Sequence, residues 1–159
     1  MKFAQESYSL DLLAEMEPLL EFQYLEIAHW KDIPMDPDFQ AFERCDKAGI
    51  LRIFTARQQG ILQGYAFFFI NRNPHFKQSV QAVNDILFLS PAMRKGLNGY
   101  RFIKWCDEQL AKEVQVVFHH VSRYLDFGKV LERMGYEQIN LQYGHRLDLT
   151  RKPLEVSCV

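Results

Sequence analysis

Cysteine is scarce in this chain. The three present, Cys45, Cys106 and Cys158, are odd in number and show no Cys-x-x-Cys spacing. A disulfide framework or a thiolate metal site is not expected, and a reducing cytoplasm is the compartment that fits. No apolar run reaches the length of a membrane span, and residues 1–30 carry no cationic, apolar leader. Excess charge is lacking too: the formal net charge is −1, and nothing forms the basic stripe that nucleic-acid binding needs. Neither Gly-x-x-x-x-Gly-Lys-Ser/Thr nor Gly-x-Gly-x-x-Gly occurs, so the two common nucleotide signatures are absent. Proline and glycine are modest at six and eight residues, without repeats or low-complexity tracts. What remains, 48% apolar and 14% aromatic, describes one packed α/β domain over residues 1–149 with a tail over 150–159.

The near-zero charge hides an asymmetry. Residues 1–48 hold eleven acids against four bases, a net of −7, and residues 49–159 hold nine against fifteen, a net of +6. Such a split suits a site that grips an anionic cofactor on one side and a cationic acceptor on the other. It equally suits acidic helices that present a solvated face.

Residues 2–5 predict a short strand. Ser9 or Asp11 can cap a helix carrying Leu12, Leu13, Met16, Leu19, Leu20 and Tyr24, with Pro18 a kink or break. A loop from His29 to Pro37 leads to a helix from about Asp38 to a Gly49 stop. Strands follow over Ile50–Ala56, Ile61–Asn71 and Gln81–Leu89, the first pair joined at Gln58-Gln59-Gly60. A helix to about Glu113, a buried-type strand over Val114–Val121, a helix over Asp126–Met134 ending on Gly135, and two closing strands over Tyr136–Leu149 complete the order. The segment from Gln81 to Val121 would form a parallel pair with a right-handed crossover.

The richest segment is Asn84 to Tyr100. An apolar strand meets Pro91, then a short loop holding Arg94, Lys95, Gly96, Leu97, Asn98 and Gly99, and then a helix with Phe102, Ile103, Cys106 and Leu110 on one face. Glycines let backbone N–H groups approach oxygens, a first helical turn has unpaired donors, and the helix dipole favours negative charge. The segment can therefore hold a phosphate. An ordinary polar turn built on Asn98-Gly99 is the plainer alternative.

This order of elements, with two motifs, resembles the GNAT family of N-acetyltransferases over nearly the whole chain. Leu89-Ser90-Pro91-Ala92-Met93-Arg94 is similar to the family's Val-x-Pro-x-x lead into (Arg/Gln)-x-x-Gly-x-(Gly/Ala). Gly99 keeps the last glycine, Leu97 stands where the middle one belongs, and Gly96 lies one position early. Val130 to Tyr136 resembles the family's Leu-Tyr-x-x-x-Gly-Phe ending, with Leu131 in place of the tyrosine that serves as general acid. The resemblance implies a mixed, mostly antiparallel sheet with a central splayed parallel pair flanked by about four helices. It also implies acetyl-CoA as co-substrate, with no metal. Backbone groups of Leu87, Phe88 and Leu89 would hold the pantetheine arm, and the amides from Lys95 to Tyr100 would cup the pyrophosphate, with Arg94 and Lys95 adding charge. The implied reaction is direct attack by a primary amine, borne on a small molecule or a protein. A homodimer through the last strands is compatible with such a fold. The two departures leave two further readings open: a non-catalytic relative acting as a binding or inhibitory module, and a phosphate-ligand sensor.

Asp85 lies inside an apolar strand, where a carboxylate is either a base or a strand-end acid facing solvent; alternation sends Asn84 and Asp85 to opposite faces. Tyr124, just past the Val114–Val121 strand, is the candidate proton donor to the thiolate, with Tyr136 and Tyr143 as substitutes. His119 and His120 are adjacent on a strand and must diverge, which argues against shared metal ligation. His145 is a candidate for the acceptor pocket. Phe67, Phe68, Phe69, Trp105 and Cys106 are expected in the core.

Overall fold

Capping and turn residues set most element boundaries. The computed structural model describes residues 1–148. Along it run β1 Lys2–Glu6, α1 Leu10–Ile27, α2 Phe39–Lys47, β2 Leu51–Gln58, β3 Ile61–Arg72, β4 Val80–Leu89, α3 Asn98–Leu110, β5 Val116–Phe118 and α4 Gly128–Arg133. Ser9, in extended backbone, accepts from the Leu12 amide and opens α1, and Asp38 does the same for α2 through Ala41. The β2–β3 hairpin turns on Gln59 and Gly60, both at positive φ, which is the two-residue geometry that matches strand twist.

The five strands lie in the order β1-β2-β3-β4-β5, antiparallel except for the parallel β4–β5 pair. This is the mixed, mostly antiparallel sheet with four helices that the sequence implied. One face packs Phe54, Ala56, Ala66, Phe68, Ala82 and Leu89 against Phe102, Cys106 and Leu110 of α3. The other packs Leu51, Ile53, Tyr65, Phe67 and Phe88 against Leu12 and Met16 of α1, with Phe42 of α2 beside them. Phe54, Phe68 and Phe102 are completely buried, each removing apolar surface worth roughly 2 kcal/mol. Arg57 of β2 fastens the edge by pairing with Glu6 of β1 and Glu15 of α1.

Four expectations need correction. Pro18 does not end α1, which continues to Ile27; burial of Leu12, Met16 and Gln23 on the face turned to the sheet offsets the lost hydrogen bond. The strand expected over Val114–Val121 shrinks to Val116–Phe118 and is only partly covered. The helices expected to reach Glu113 and to begin at Asp126 are Asn98–Leu110 and Gly128–Arg133. No strand follows β5 among the described residues, and Ile139, Leu141, Tyr143 and Leu147 are exposed. Their alternation marks an apolar face, yet these side chains stay exposed. The expected tail, 150–159, lies outside the described residues.

Candidate functional site

The site grows from a fault in the sheet. β3 runs antiparallel to β4 along its whole length, but the register slips once: Phe67 faces Ile86 and Phe68 faces Asn84. Asp85 is left over as a bulge. Bulges bend a strand and re-aim its side chains. Asp85 and Ile86 accordingly both reach the α1/α2 side of the sheet. Asn84 points the other way and is buried, and its side-chain amide donates to the carbonyls of Phe67 and Ile86 at 3.2 and 2.9 Å. One side chain thus satisfies carbonyls on both strands at the slip.

On its other edge β4 meets β5 for three residue pairs only, the last being Val83 with Phe118. Beyond that point the strands part, and Asn84 to Leu89 has no β5 partner. The stretch without a strand partner is roughly 20 Å long at ~3.3 Å per residue. It ends at the turn Pro91–Met93, after which Gly96 takes φ +63° and α3 begins at Asn98 with no side chain capping it. Gly96, not the position held by Leu97, supplies the left-handed residue in this loop. Leu97, with φ −100°, needs no glycine. The first-turn amides of α3 are therefore open donors at the end of the slot.

Side chains from α1 converge on the same edge. Gln23, 3% exposed, donates to the Leu87 carbonyl at 3.3 Å and accepts from the Tyr65 hydroxyl at 2.8 Å. Burial raises the Tyr65 phenol well above its ordinary value, so it remains a donor. Arg94 turns inward. Its Nε donates to the Leu89 carbonyl at 2.7 Å, its two terminal nitrogens bind Glu26 at 2.6 Å each, and the guanidinium lies 5.4 Å from the Phe88 ring centroid. Arg94, expected to charge the phosphate loop, thus spends its donors on α1 and on the strand end. Lys95 is exposed and makes no ion pair among the described residues.

Tyr124 lies past β5, half exposed, its hydroxyl 2.6 Å from Nδ1 of His29 just after α1. That bond ties the loop after β5 to the α1–α2 connection. Asp85 is solvent-accessible, yet the surrounding protein raises its carboxyl above the ordinary carboxylate value, with the nearby His120 acting in the opposite sense. His120 is exposed, while His119 packs edge-on against Phe68, Phe127 and Tyr136. The two imidazoles diverge. Tyr136 donates to Asp107 of α3 at 2.7 Å, and Tyr143 is 88% exposed. Leu131 is buried and His145 exposed. Phe67, Phe68 and Cys106 lie in the core, with Phe69 and Trp105 packed against it.

Gln23, Glu26 and His29 are the site residues that sequence reading does not pick out. Asn84 stands out in the sequence beside Asp85, as a polar residue inside an apolar strand. The others are ordinary members of an acidic amphipathic helix and its exit loop.

No family model matches the sequence, and no curated protein matches it. Solved structures do match the fold. A ribosomal-protein-alanine N-acetyltransferase from Brucella melitensis biovar Abortus superposes with a TM-score of 0.68 at 17% identity, covering 92% of this chain and 99% of that one. An aminoglycoside acetyltransferase from an uncultured soil metagenomic sample, solved with sisomicin, gives 0.70 at 14% identity over 92% and 95% of the two chains. A predicted acetyltransferase from Clostridium acetobutylicum, solved with acetyl-CoA, gives 0.70 at 9% identity over 95% and 100%. Over nearly its whole length the chain thus shares the fold of these acetyltransferases, the GNAT-like fold that the sequence implied.

Proposed function

We propose that this protein transfers an acetyl group from acetyl-CoA to a primary amine. The observation that carries the reading is the parting of β4 and β5 past Val83 and Phe118, which leaves a strand edge leading straight to an uncapped helix N-terminus. A thioester arm can lie along Leu87, Phe88 and Leu89 as a stand-in strand. The pyrophosphate would then meet the amides from Lys95 to Tyr100, Gly96, Leu97, Asn98 and Gly99 included, with Lys95 as the cation facing it. Arg94 serves in this reading as the brace that fixes the strand end, through Glu26.

Chemistry follows from what flanks the slot. The amine arrives as an ammonium ion and gives a proton to Asp85, directly or through water. Its nitrogen attacks the thioester carbonyl, the C–S bond breaks, and the leaving thiolate takes a proton from Tyr124, which His29 holds in place. Positioning supplies much of the rate. A solved neighbour that carries sisomicin, an amine-bearing aminoglycoside, supports an amine acceptor.

Calorimetric titration with CoA tests the reading. Binding in the micromolar range is expected, weakened about three- to ten-fold in Lys95→Ala through one lost phosphate contact. No heat at millimolar CoA would remove it. The inward pose of Arg94, together with the occupied carbonyls of Leu87 and Leu89, favours one rival: a GNAT-fold module that binds without catalysis. Release of free thiol from acetyl-CoA in the presence of amines separates the two.

A further inference from the structure

A cavity of about 180 Å³ lies between α1, α2 and the sheet, and Asp85 and Ile86 of the bulge form part of its wall. Leu12 and Met16 of α1, Phe42 of α2 and Phe67 of β3 supply much of the rest, so the lining is almost wholly apolar. A shallower crevice beside it shares Asp85 and Phe42 and adds Asp38 at the cap of α2. No lysine or arginine lines either space.

Three features point to one occupant. The volume compares with an engineered apolar cavity of about 150 Å³ that stays dry and takes up a benzene ring. The charged side chains lining the two spaces, Asp85 and Asp38, are both carboxylates, which complements a cation. Continuity adds the third: the residues that end the cavity, Asp85 and Ile86, begin the strand edge that β5 abandons.

We infer that this cavity is the acceptor site and that it takes a compact apolar primary amine, an aryl- or branched-alkylamine, with its nitrogen at Asp85. The inference rests on the acetyl-transfer reading for the identity of the partner reaction, but not for binding itself. A polycationic aminosugar would find few partners in such a lining beyond Asp85, Tyr8 and Ser9, and burying its remaining polar groups there would leave them unpaired. A protein chain would place peptide groups against the same wall.

The test is equilibrium binding of phenethylamine to the full chain by saturation-transfer NMR and calorimetry, with and without CoA. Each added methylene from benzylamine to phenylpropylamine should tighten binding about four-fold until the cavity is full. Asp85→Asn should weaken phenethylamine at least ten-fold while leaving CoA affinity unchanged. Leu13→Phe, which fills the cavity from its half-buried α1 wall, should exclude the larger amines first. Phenethylamine binding without CoA binding would keep the acceptor site and remove the transferase reading. CoA binding with no phenethylamine affinity, or with spermidine or kanamycin preferred, would overturn the inference alone.

Discussion

His119 shows how a single side chain can record its surroundings. Both ring nitrogens are buried without a hydrogen-bond partner among the described residues, enclosed by Phe68, Phe127 and Tyr136. Burial, helped by the nearby charge of His120, lowers its pKa to about 4 from the ordinary 6.5. The unfolded chain therefore binds a proton near pH 6.5 that the folded chain refuses until about 4. Stability is retained above 6.5 and lost as pH falls between those two values, by on the order of 3 kcal/mol in all. At about pH 5 the loss specific to this group should be roughly 2 kcal/mol. His119→Phe keeps a ring among rings and removes the proton site. Urea midpoints measured at about pH 7.5 and 5 should converge more closely in the variant than in the parent. An equal acid loss in both would mean that water reaches the imidazole in solution.

At the scale of elements, β4 is where the sheet and the site meet, and Gly64 of β3 is what lets it approach. A Cβ built on Gly64 would lie 2.5 Å from both the Phe88 carbonyl oxygen and a methyl of Leu89. The carbonyl is backbone and cannot swing aside, so Gly64→Ala must push the end of β4 outward. A stability loss of about 1–3 kcal/mol is expected, together with weakened CoA binding, because Leu87 to Leu89 is the edge proposed to hold the thioester arm. Thermal unfolding and calorimetry on the same variant check both. Unchanged stability would mean that β3 and β4 separate there at no cost. Much of this architecture was legible because its signals are short-range: Ser9 and Asp38 three residues from the amides they cap, Gly60 within its turn, and apolar alternation along β2 to β4. The bulge was not. Asn84 and Asp85 stand out as polar, but only the register against Phe67 and Phe68 decides which one is expelled. Nor was the fate of Arg94, whose partner Glu26 sits 68 residues away on an element that reads as a solvated acidic helix. The failed closing strands show the converse limit, since alternation over Ile139 to Leu147 specifies a face to bury without supplying the surface that buries it.

For the molecule as a whole, the parting of β4 and β5 divides stability unevenly. β3 shares nine residue pairs with β4, whereas β5 joins the sheet through three. Among the described residues beyond α3, Leu131 is buried and His119 packs on Phe68, and polar ties run from Tyr136 to Asp107, Tyr124 to His29 and Arg146 to Asp32. Local opening should therefore begin at β5 and α4 and leave β2 and β3 closed. A ligand lying in the slot would touch both sides of the gap. Saturating it at about a hundred times its dissociation constant adds about 2.7 kcal/mol to the bound state, and that gain should appear first where the free protein opens most easily. Hydrogen–deuterium exchange followed by mass spectrometry should show Val116–Phe118 and Gly128–Arg133 exchanging early in the free chain and slowing markedly with CoA, while β2 and β3 change little. Uniform protection across the sheet would mean that the ligand stabilises the whole fold without bridging the gap. Protection confined to α1 would place CoA on the acidic face, away from the amides that begin α3.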